Sequence, residues 1–528
     1  MKNWKCFMLH ASCFMLMAAA VAGRCALLAA DVTGQTNEAE AVFTGKANAN
    51  ERGGAWKVVC GEPSGPELKA IEVLTQYLTP ILLREGHLST FPVLPVEYPG
   101  GARVEGKRHA VLLGVPSKNR ALARYVKPSE VPEGGYLIRT LHEQGGHNLA
   151  IIAGSNPSAV LWGMFEFLDV TVPELTSRIA PGEAQRYHGE FFRAAKVPTF
   201  SRATAPETKV RSVFSWGQVI DNYERTFREL ARMRFNRVLL WNDQRVLNAR
   251  EVVESAHSWG IEVYWGFSWG WTLSGSREAK IDFDRLIDGI VDEWRRIWKP
   301  MGGDGIYFQS FTETSLKTIG GRPIPETAVE LVNQVTKRIR AEEPNKAIVF
   351  GLHSNSMRLP GAMAALRKVD PTVEILWENC TITLPYWESH GRDFPPDYSF
   401  CDRVLANNAK IGFAWKSQLR MDWKHYVKPA GPFVLGCAGE AAYRRDREVV
   451  EALFGGYDED WLVNGVKAWE HIRHLRSQKK PPEEFNAVVE THPPYAFATW
   501  CQAELFWNSS DSWEEVQRRV RQRLRSQK

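Results

Sequence analysis

The sequence predicts an α/β protein, a (β/α)8 TIM barrel preceded by a small α/β domain and followed by a helical C-terminal segment. Three observations lead there. From about residue 210, short apolar runs alternate with amphipathic helical patterns through eight repeats. Ahead of them, residues 57–168 carry a shorter strand-and-helix alternation, and after residue 441 helical periodicities dominate. A chain of 528 residues also exceeds what one ordinary core fills, so two or three domains are expected.

The N-terminus differs from the rest. Lys2 and Lys5 give a charged start, and residues 6–22 are almost unbroken apolar sequence ending in small residues, the pattern of a secretory signal peptide. Cleavage fits after Ala22 or after Ala30. Residues 1–30 are therefore assigned to the signal, and the protein is expected to be exported to the periplasm, the cell surface or the medium. The apolar run is shorter than the ~20 residues of a membrane span, and no later stretch is apolar enough for one, so no membrane partner is expected after cleavage. Residues 31–55 lack any apolar period and read as a disordered lead-in.

Residues 56–172 form the first domain. Positions 57–60, 110–114, 136–139 and 149–153 read as strands, and 67–85 and 158–168 as helices, the first with Ile71, Leu74, Leu78 and Leu82 on one face. Residues 173–208, with Pro173, Pro181, Pro198 and Pro206, read as a linker. The strand Leu149 to Gly154 is followed by Ala159-Val160-Leu161-Trp162-Gly163-Met164-Phe165-Glu166-Phe167-Leu168, and an earlier strand ends in Leu113-Gly114. This pattern resembles the accessory domain that precedes the barrel in family 67 α-glucuronidases and family 20 β-hexosaminidases. The resemblance covers about residues 57–170 and implies carbohydrate-active company, not a reaction.

The barrel is assigned to residues 209–456. Its strands are expected at 210–214, 237–241, 262–266, 305–309, 347–351, 374–377, 412–415 and 433–435, with helices at 223–233, 249–258, 283–298, 327–341 and 360–368. Eight units fit closure better than an open sheet. The connection near 421–426 has the least helical character. A helical pattern at 444–454 closes the barrel, and residues 457–528, with patterns at 459–477 and 496–506 and a basic end, form a helical appendage.

Composition narrows the function. Sixty-six basic against sixty-one acidic residues, a net charge of +5 with no long single-sign runs, leave no footprint for nucleic acid. Of eight cysteines, Cys60, Cys380, Cys401, Cys437 and Cys501 lie beyond the N-terminal segment and are widely spaced, so no metal site or cofactor is expected, and one disulfide is possible after export. Nucleotide-binding, zinc-protease and serine-hydrolase signatures are absent.

Barrel chemistry sits at the C-terminal ends of strands. The candidates are Trp216 after the first strand, Trp241, Asn242 and Asp243 after the second, and Trp265, Trp269 and Trp271 after the third. Then come Gln309 and Glu313 after the fourth, His353 and Asn355 after the fifth, Trp377, Glu378 and Asn379 after the sixth, and Trp415 and Lys416 after the seventh. Aromatic faces stack on sugar rings while carboxylates and amides bind hydroxyls, so an oligo- or polysaccharide is the expected partner. The twenty tryptophans suit that reading, although core packing accounts for most of them.

Cleaving a glycosidic bond takes two carboxyl groups, one to protonate the leaving oxygen and one to act as nucleophile or activate water. Glu313, shortly past the fourth strand, is the expected acid, and Glu378 the expected base or nucleophile. The strand ending at Glu378 is otherwise too apolar to hold an unpaired charge without purpose, although a salt bridge to Lys416 or Arg420 would also satisfy it. Asp243 suits a substrate hydroxyl or a base role, His353 substrate binding or carboxylate tuning, and Lys416 a uronic acid carboxylate or Glu378. Asp304, at the N-terminal end of its strand, reads as structural.

Family 20 enzymes carry an Asp-Glu pair after the fourth strand, the Asp orienting the substrate acetamide. Here Thr312 precedes Glu313, so the resemblance implies an acid without that mechanism. Family 67 enzymes place a Glu after the fourth strand and further carboxylates later, and act by inversion. The function expected is an exported glycoside hydrolase. The alternatives are a non-catalytic carbohydrate-binding protein on the same scaffold, or a lyase using His353 and Lys416.

Overall fold

The computed structural model of the chain describes residues 56–84, 93–95, 109–179, 190–216, 220, 222–241, 244–269, 282–309, 316–353, 359–379, 398–406, 410–416, 431–436, 457–488 and 497–525. The expected signal and lead-in, and the helical pattern at 444–454, lie outside these residues. Among the described residues no helix is long and apolar enough to cross a membrane.

The first domain runs β1 (Trp56–Cys60), α1 (Pro66–Arg84), β2 (Val93–Pro95), β3 (His109–Gly114), β4 (Tyr136–His142), β5 (Asn148–Gly154), α2 (Pro157–Glu166), α3 (Val172–Ile179), α4 (Glu190–Arg193) and β6 (Phe200–Thr204). The sheet order is β2-β1-β3-β5-β4-β6, parallel through β5 and antiparallel from there. β3 and β5 are buried along their whole length, which is why both read as continuous apolar runs. Val111, Leu113, Ala150 and Ile152 pack into the large core with α1 and α2, while Leu112, Leu149 and Ile151 face a smaller core on the other side. Asn156 caps α2 by accepting the Ala159 N–H at 3.0 Å. A Cβ on Gly163 would stand 3.0 Å from Ile152 Cγ2 and 3.2 Å from Tyr136 Cβ, so glycine lets α2 sit close to the sheet.

The expected linker is part of this domain. α3 continues from a π turn at Phe167–Thr171, and β6 pairs antiparallel with β4 from Tyr136↔Thr204 to Thr140↔Phe200. The prolines mislead because they flank elements without interrupting them: Pro173 lies in the first turn of α3, where no amide is needed, and Pro198 and Pro206 bracket β6.

The rest is β7 (Val210–Trp216), α5 (Tyr223–Arg232), β8 (Arg237–Trp241), α6 (Ala249–Ser258), β9 (Glu262–Ser268), α7 (Phe283–Glu293), β10 (Gly305–Gln309), a hairpin of β11 (Thr318–Ile319) and β12 (Arg322–Pro323), and α8 (Ile324–Glu342). There follow β13 (Ala347–His353), α9 (Ala362–Leu366), β14 (Glu374–Asn379), α10 (Ser399–Leu405), β15 (Ile411–Lys416), α11 (Tyr457–Ser477), β16 (Glu484–Val488), α12 (Phe497–Trp507) and α13 (Trp513–Arg525). Eight of the strands close a barrel in the order β7-β8-β9-β10-β13-β14-β15-β16, every pair parallel.

The eighth strand is not 433–435. It is β16, registered as Gly412↔Glu484 on one side and Glu484↔Val210 on the other. Phe433 forms only an isolated parallel bridge to Val246, and Val434 is exposed. β16 hides in the sequence because its polarity is inverted. Glu484 and Asn486 are polar yet fully buried, their parity is that of the barrel-lining Val488, and Phe485 and Ala487 pack on the outer side. The barrel therefore extends past residue 456, and α11 and α12 are barrel helices and not an appendage; Phe506 of α12 packs against Trp415 at 5.7 Å and Phe485 at 5.5 Å.

Aromatic side chains fill the barrel by lying across glycines of neighbouring strands. A Cβ on Gly266 would come 2.9 Å from Trp241 Cε3, one on Gly305 2.6 Å from Tyr264 Cε2, and one on Gly351 2.1 Å from Tyr307 Oη. A plugged interior of this kind leaves chemistry to the strand-end loops.

Candidate functional site

Strand alternation sorts the candidates. Phe214, Leu239, Trp241, Tyr264, Tyr307, Val349, Leu376, Ala414 and Val488 form one interior cluster, so every second residue from each faces the barrel axis. Continued along the backbone, that alternation runs through positions 216, 241, 268, 309, 353, 378, 416 and 488 near the strand ends. Five of these, Trp216, Trp241, His353, Glu378 and Lys416, are sequence-selected candidates, and Gln309 is a sixth strand-end residue. For Trp216, His353, Glu378 and Lys416 the backbone is described: 216 pairs with Trp241, and 378 lies between His353 and Ala414 in register.

Trp265, Trp377 and Trp415 have the opposite parity and belong to the core between the barrel and its helices, each no more than 1% exposed. Trp269 also turns outward. Its amide donates to the Gln309 carbonyl at 3.0 Å, and its ring stacks on Phe308 with centroids 3.5 Å apart and planes 7° from parallel. These four are buried, which corrects the expectation that they bind substrate. Their attraction in sequence was position near a strand end; the parity count was the signal that separates them. Asn242, Asp243, Trp271, Glu313 and Asn355 lie outside the described residues.

Below the strand ends the inward side chains form a floor that sequence reasoning missed. Phe214, Trp241 and Tyr307 meet with ring centroids 5.0 to 6.4 Å apart. Trp241 is 3% exposed, so it seals the barrel and does not line an open cleft. Gln309 stands at the top of β10 and donates from Nε2 to Tyr307 Oη at 3.2 Å. The readable signal was an aromatic two residues before a strand end with glycine at the matching position next door, as at Tyr307↔Gly266.

Arg237, Glu262, Asp304, Glu374 and Glu484 lie at the opposite pole, at the N-terminal ends of the strands. Asp304 accepts from the Val263 amide at 2.8 Å and contacts His257 Nε2 at 2.9 Å. Burial raises its carboxyl, but the His257 and Val263 hydrogen bonds outweigh that and leave it below the ordinary aspartate value. This is the structural role its position suggested. Among the described residues no group of three or more His, Cys, Asp or Glu could hold a metal ion.

The first domain anchors to the barrel from outside. Arg211, on β7, lies between Trp162 of the first domain, 4.7 Å from its ring, and Trp507 of α12 at 5.1 Å. Burial pulls its guanidinium down to about 9, and the nearby Arg234 and Arg476 add to the effect. It donates to the carbonyls of Arg234 and Thr208, both at 2.8 Å. The first domain is thus fixed to the N-terminal side of the barrel and leaves the strand-end face to the loops.

No protein-family model matches the sequence, and no curated protein matches it. Solved structures of similar fold include CpGH84D, at a TM-score of 0.43 and 9% identity over 79% of this chain and 70% of that one. A GH138 enzyme targeting pectin rhamnogalacturonan II aligns at 0.36 and 9% over 87% of this chain, which spans 51% of that enzyme. A β-N-acetylhexosaminidase aligns at 0.33 and 10%, over 74% of this chain and 87% of that one. The barrel itself is established by the unbroken ring of eight parallel strand pairings.

Proposed function

We propose that the protein is an exported glycoside hydrolase whose acid is Glu313 and whose base or nucleophile is Glu378. The observation that supports this reading most is the strand register. β10 ends at Gln309, four residues before Glu313, and β14 carries Glu378 near its C-terminal end, two residues after the inward Leu376. Two carboxyl residues that follow strands four and six in the chain are what a pair flanking a scissile bond would call for. Trp216, Asn242, Asp243, Trp271, His353, Asn355 and Lys416 remain the residues proposed to surround the sugar, with Lys416 suited to a carboxylate-bearing one and Trp241 left as part of the floor beneath them. The accessory domain before the barrel keeps the family 67 layout in view, and Thr312 argues against the acetamide-assisted route of family 20.

The test is a screen of purified protein against chromogenic glycosides and uronides, with Glu313→Gln and Glu378→Gln alongside. Turnover by the wild type that both variants lose supports the assignment. Sugar binding without turnover in the wild type would instead favour a carbohydrate-binding protein on the same scaffold.

A further inference from the structure

The N-terminal pole of the barrel holds a charge cluster that the proposed reaction does not use. Arg237 opens β8, and its Nη1 faces two carboxyl groups at once, Glu484 Oε2 at 2.9 Å and Glu374 Oε2 at 3.1 Å. Its Nε reaches the half-exposed Glu262 at 3.0 Å, and its guanidinium lies 4.2 Å from the Tyr264 ring centroid. On the far side, Ser212 of β7 hydrogen-bonds Glu484 Oε1, and Asn486 Nδ2 donates to the Ser212 hydroxyl at 2.6 Å. Lys410, just before β15, adds a further positive charge on the Glu374 side. Glu484 is fully buried, and Arg237 nearly so.

Charge counting decides the state of this cluster. Glu262 is solvated, which leaves one guanidinium against two carboxyl groups in the interior. A second uncompensated carboxylate there carries a desolvation cost of several kcal/mol, and two carboxyl groups sharing a site cannot both ionise cheaply. Both carboxyl groups contact the same Arg237 nitrogen, which holds them close to one another.

We propose that Glu374 and Glu484 share one proton at neutral pH and form a pH-sensitive latch on β16, the strand that closes the barrel. With the proton in place the buried set of Arg237, Glu374 and Glu484 is neutral. Its loss to solvent at alkaline pH leaves two carboxylates against one guanidinium and loosens β16 from β7 and β15. Burial and the Glu374 charge both push the Glu484 carboxyl upward, in the same sense. A group raised in the folded state contributes stability that is fully present below the ordinary glutamate range and is lost as pH climbs through its raised value.

The test uses the full chain. Thermal midpoints are recorded from mildly acidic to alkaline pH for the wild type, Glu484→Gln and Glu374→Gln, with infrared spectra of the protonated-carboxyl C=O stretch at neutral pH. The wild-type midpoint is expected to fall as pH rises, and Glu484→Gln to flatten that fall. The wild type should show a protonated-carboxyl band that disappears in Glu374→Gln, because Glu484 then ionises against Arg237 alone. If Glu484→Gln does not fold, the wild-type band and the Glu374→Gln spectrum still decide. Absence of the band in the wild type, its persistence in Glu374→Gln, or an unchanged pH profile in a folded Glu484→Gln overturns the latch.

Discussion

Arg523, in the last helix, and Glu166, at the end of α2 in the first domain, stand 357 positions apart in the chain and meet at 2.5 Å with both side chains buried. Between them Glu504 of α12 receives Arg523 Nε at 2.7 Å, Arg519 at 3.2 Å and Arg234 of the α5–β8 turn. Arg234 takes a left-handed backbone, φ 67°, which a non-glycine residue holds only when its surroundings fix it. First domain, barrel and C-terminal helices therefore share one buried ionic junction.

Removing the centre of this junction strands buried arginines. Breaking a buried pair from one side costs about 3–5 kcal/mol, and Glu504→Ala is expected to lose stability in that range by chemical denaturation. Arg518→Ala, on the exposed face of α13 and paired with Glu515 at 2.7 Å, is expected to change it little. Equal losses for the two would contradict the junction.

The same residue sets an acid limit. Burial raises the Glu504 carboxyl, but Arg234, Arg523 and Arg519 outweigh it and hold it down to about 2. Its folded value lies below its unfolded one, so the stabilisation is complete above the ordinary glutamate range and drains away as pH falls toward 2. Wild-type midpoints should drop steeply across that window, and Glu504→Gln should show a shallower acid limb.

Glycines distinguish packing from propensity. A Cβ at Gly351 would meet Tyr307 Oη, so Gly351→Ala is expected to cost about 1–3 kcal/mol through overpacking. Gly289 lies exposed inside α7 with nothing within 4 Å of its would-be Cβ. Gly289→Ala is expected to gain about 0.4–1 kcal/mol. Denaturation midpoints of the two variants should move in opposite directions.

The outward tryptophans are structural. Trp377 and Trp415 are buried in the layer between barrel and helices, so replacement by alanine is expected to cost about 3–5 kcal/mol. Their fluorescence should resist aqueous quenchers. A Trp415→Ala variant of normal stability with lost sugar binding would return that residue to the site.

Much of the fold was legible because seven barrel strands advertise themselves by apolar runs with helical patterns between them. β16 escaped because Glu484 and Asn486 face the interior, where polarity usually signals a loop, and because 433–435 offered a more apolar decoy. β6 escaped because an edge strand with alternating exposure looks like the proline-flanked linker around it. Near the strand ends, proximity alone drew in residues of both parities. It failed to separate Trp241 from Trp265, since only closure of the ring reveals which parity faces inward.

The central claim is tested most directly by steady-state hydrolysis of the best chromogenic glycoside or uronide found for the wild type, repeated with folded Glu313→Gln and Glu378→Gln. Loss of an acid or base is expected to lower kcat by about 10²–10⁴-fold. Glu313→Gln should regain activity on a substrate whose leaving group needs no protonation. Wild-type kcat in either variant would contradict the account.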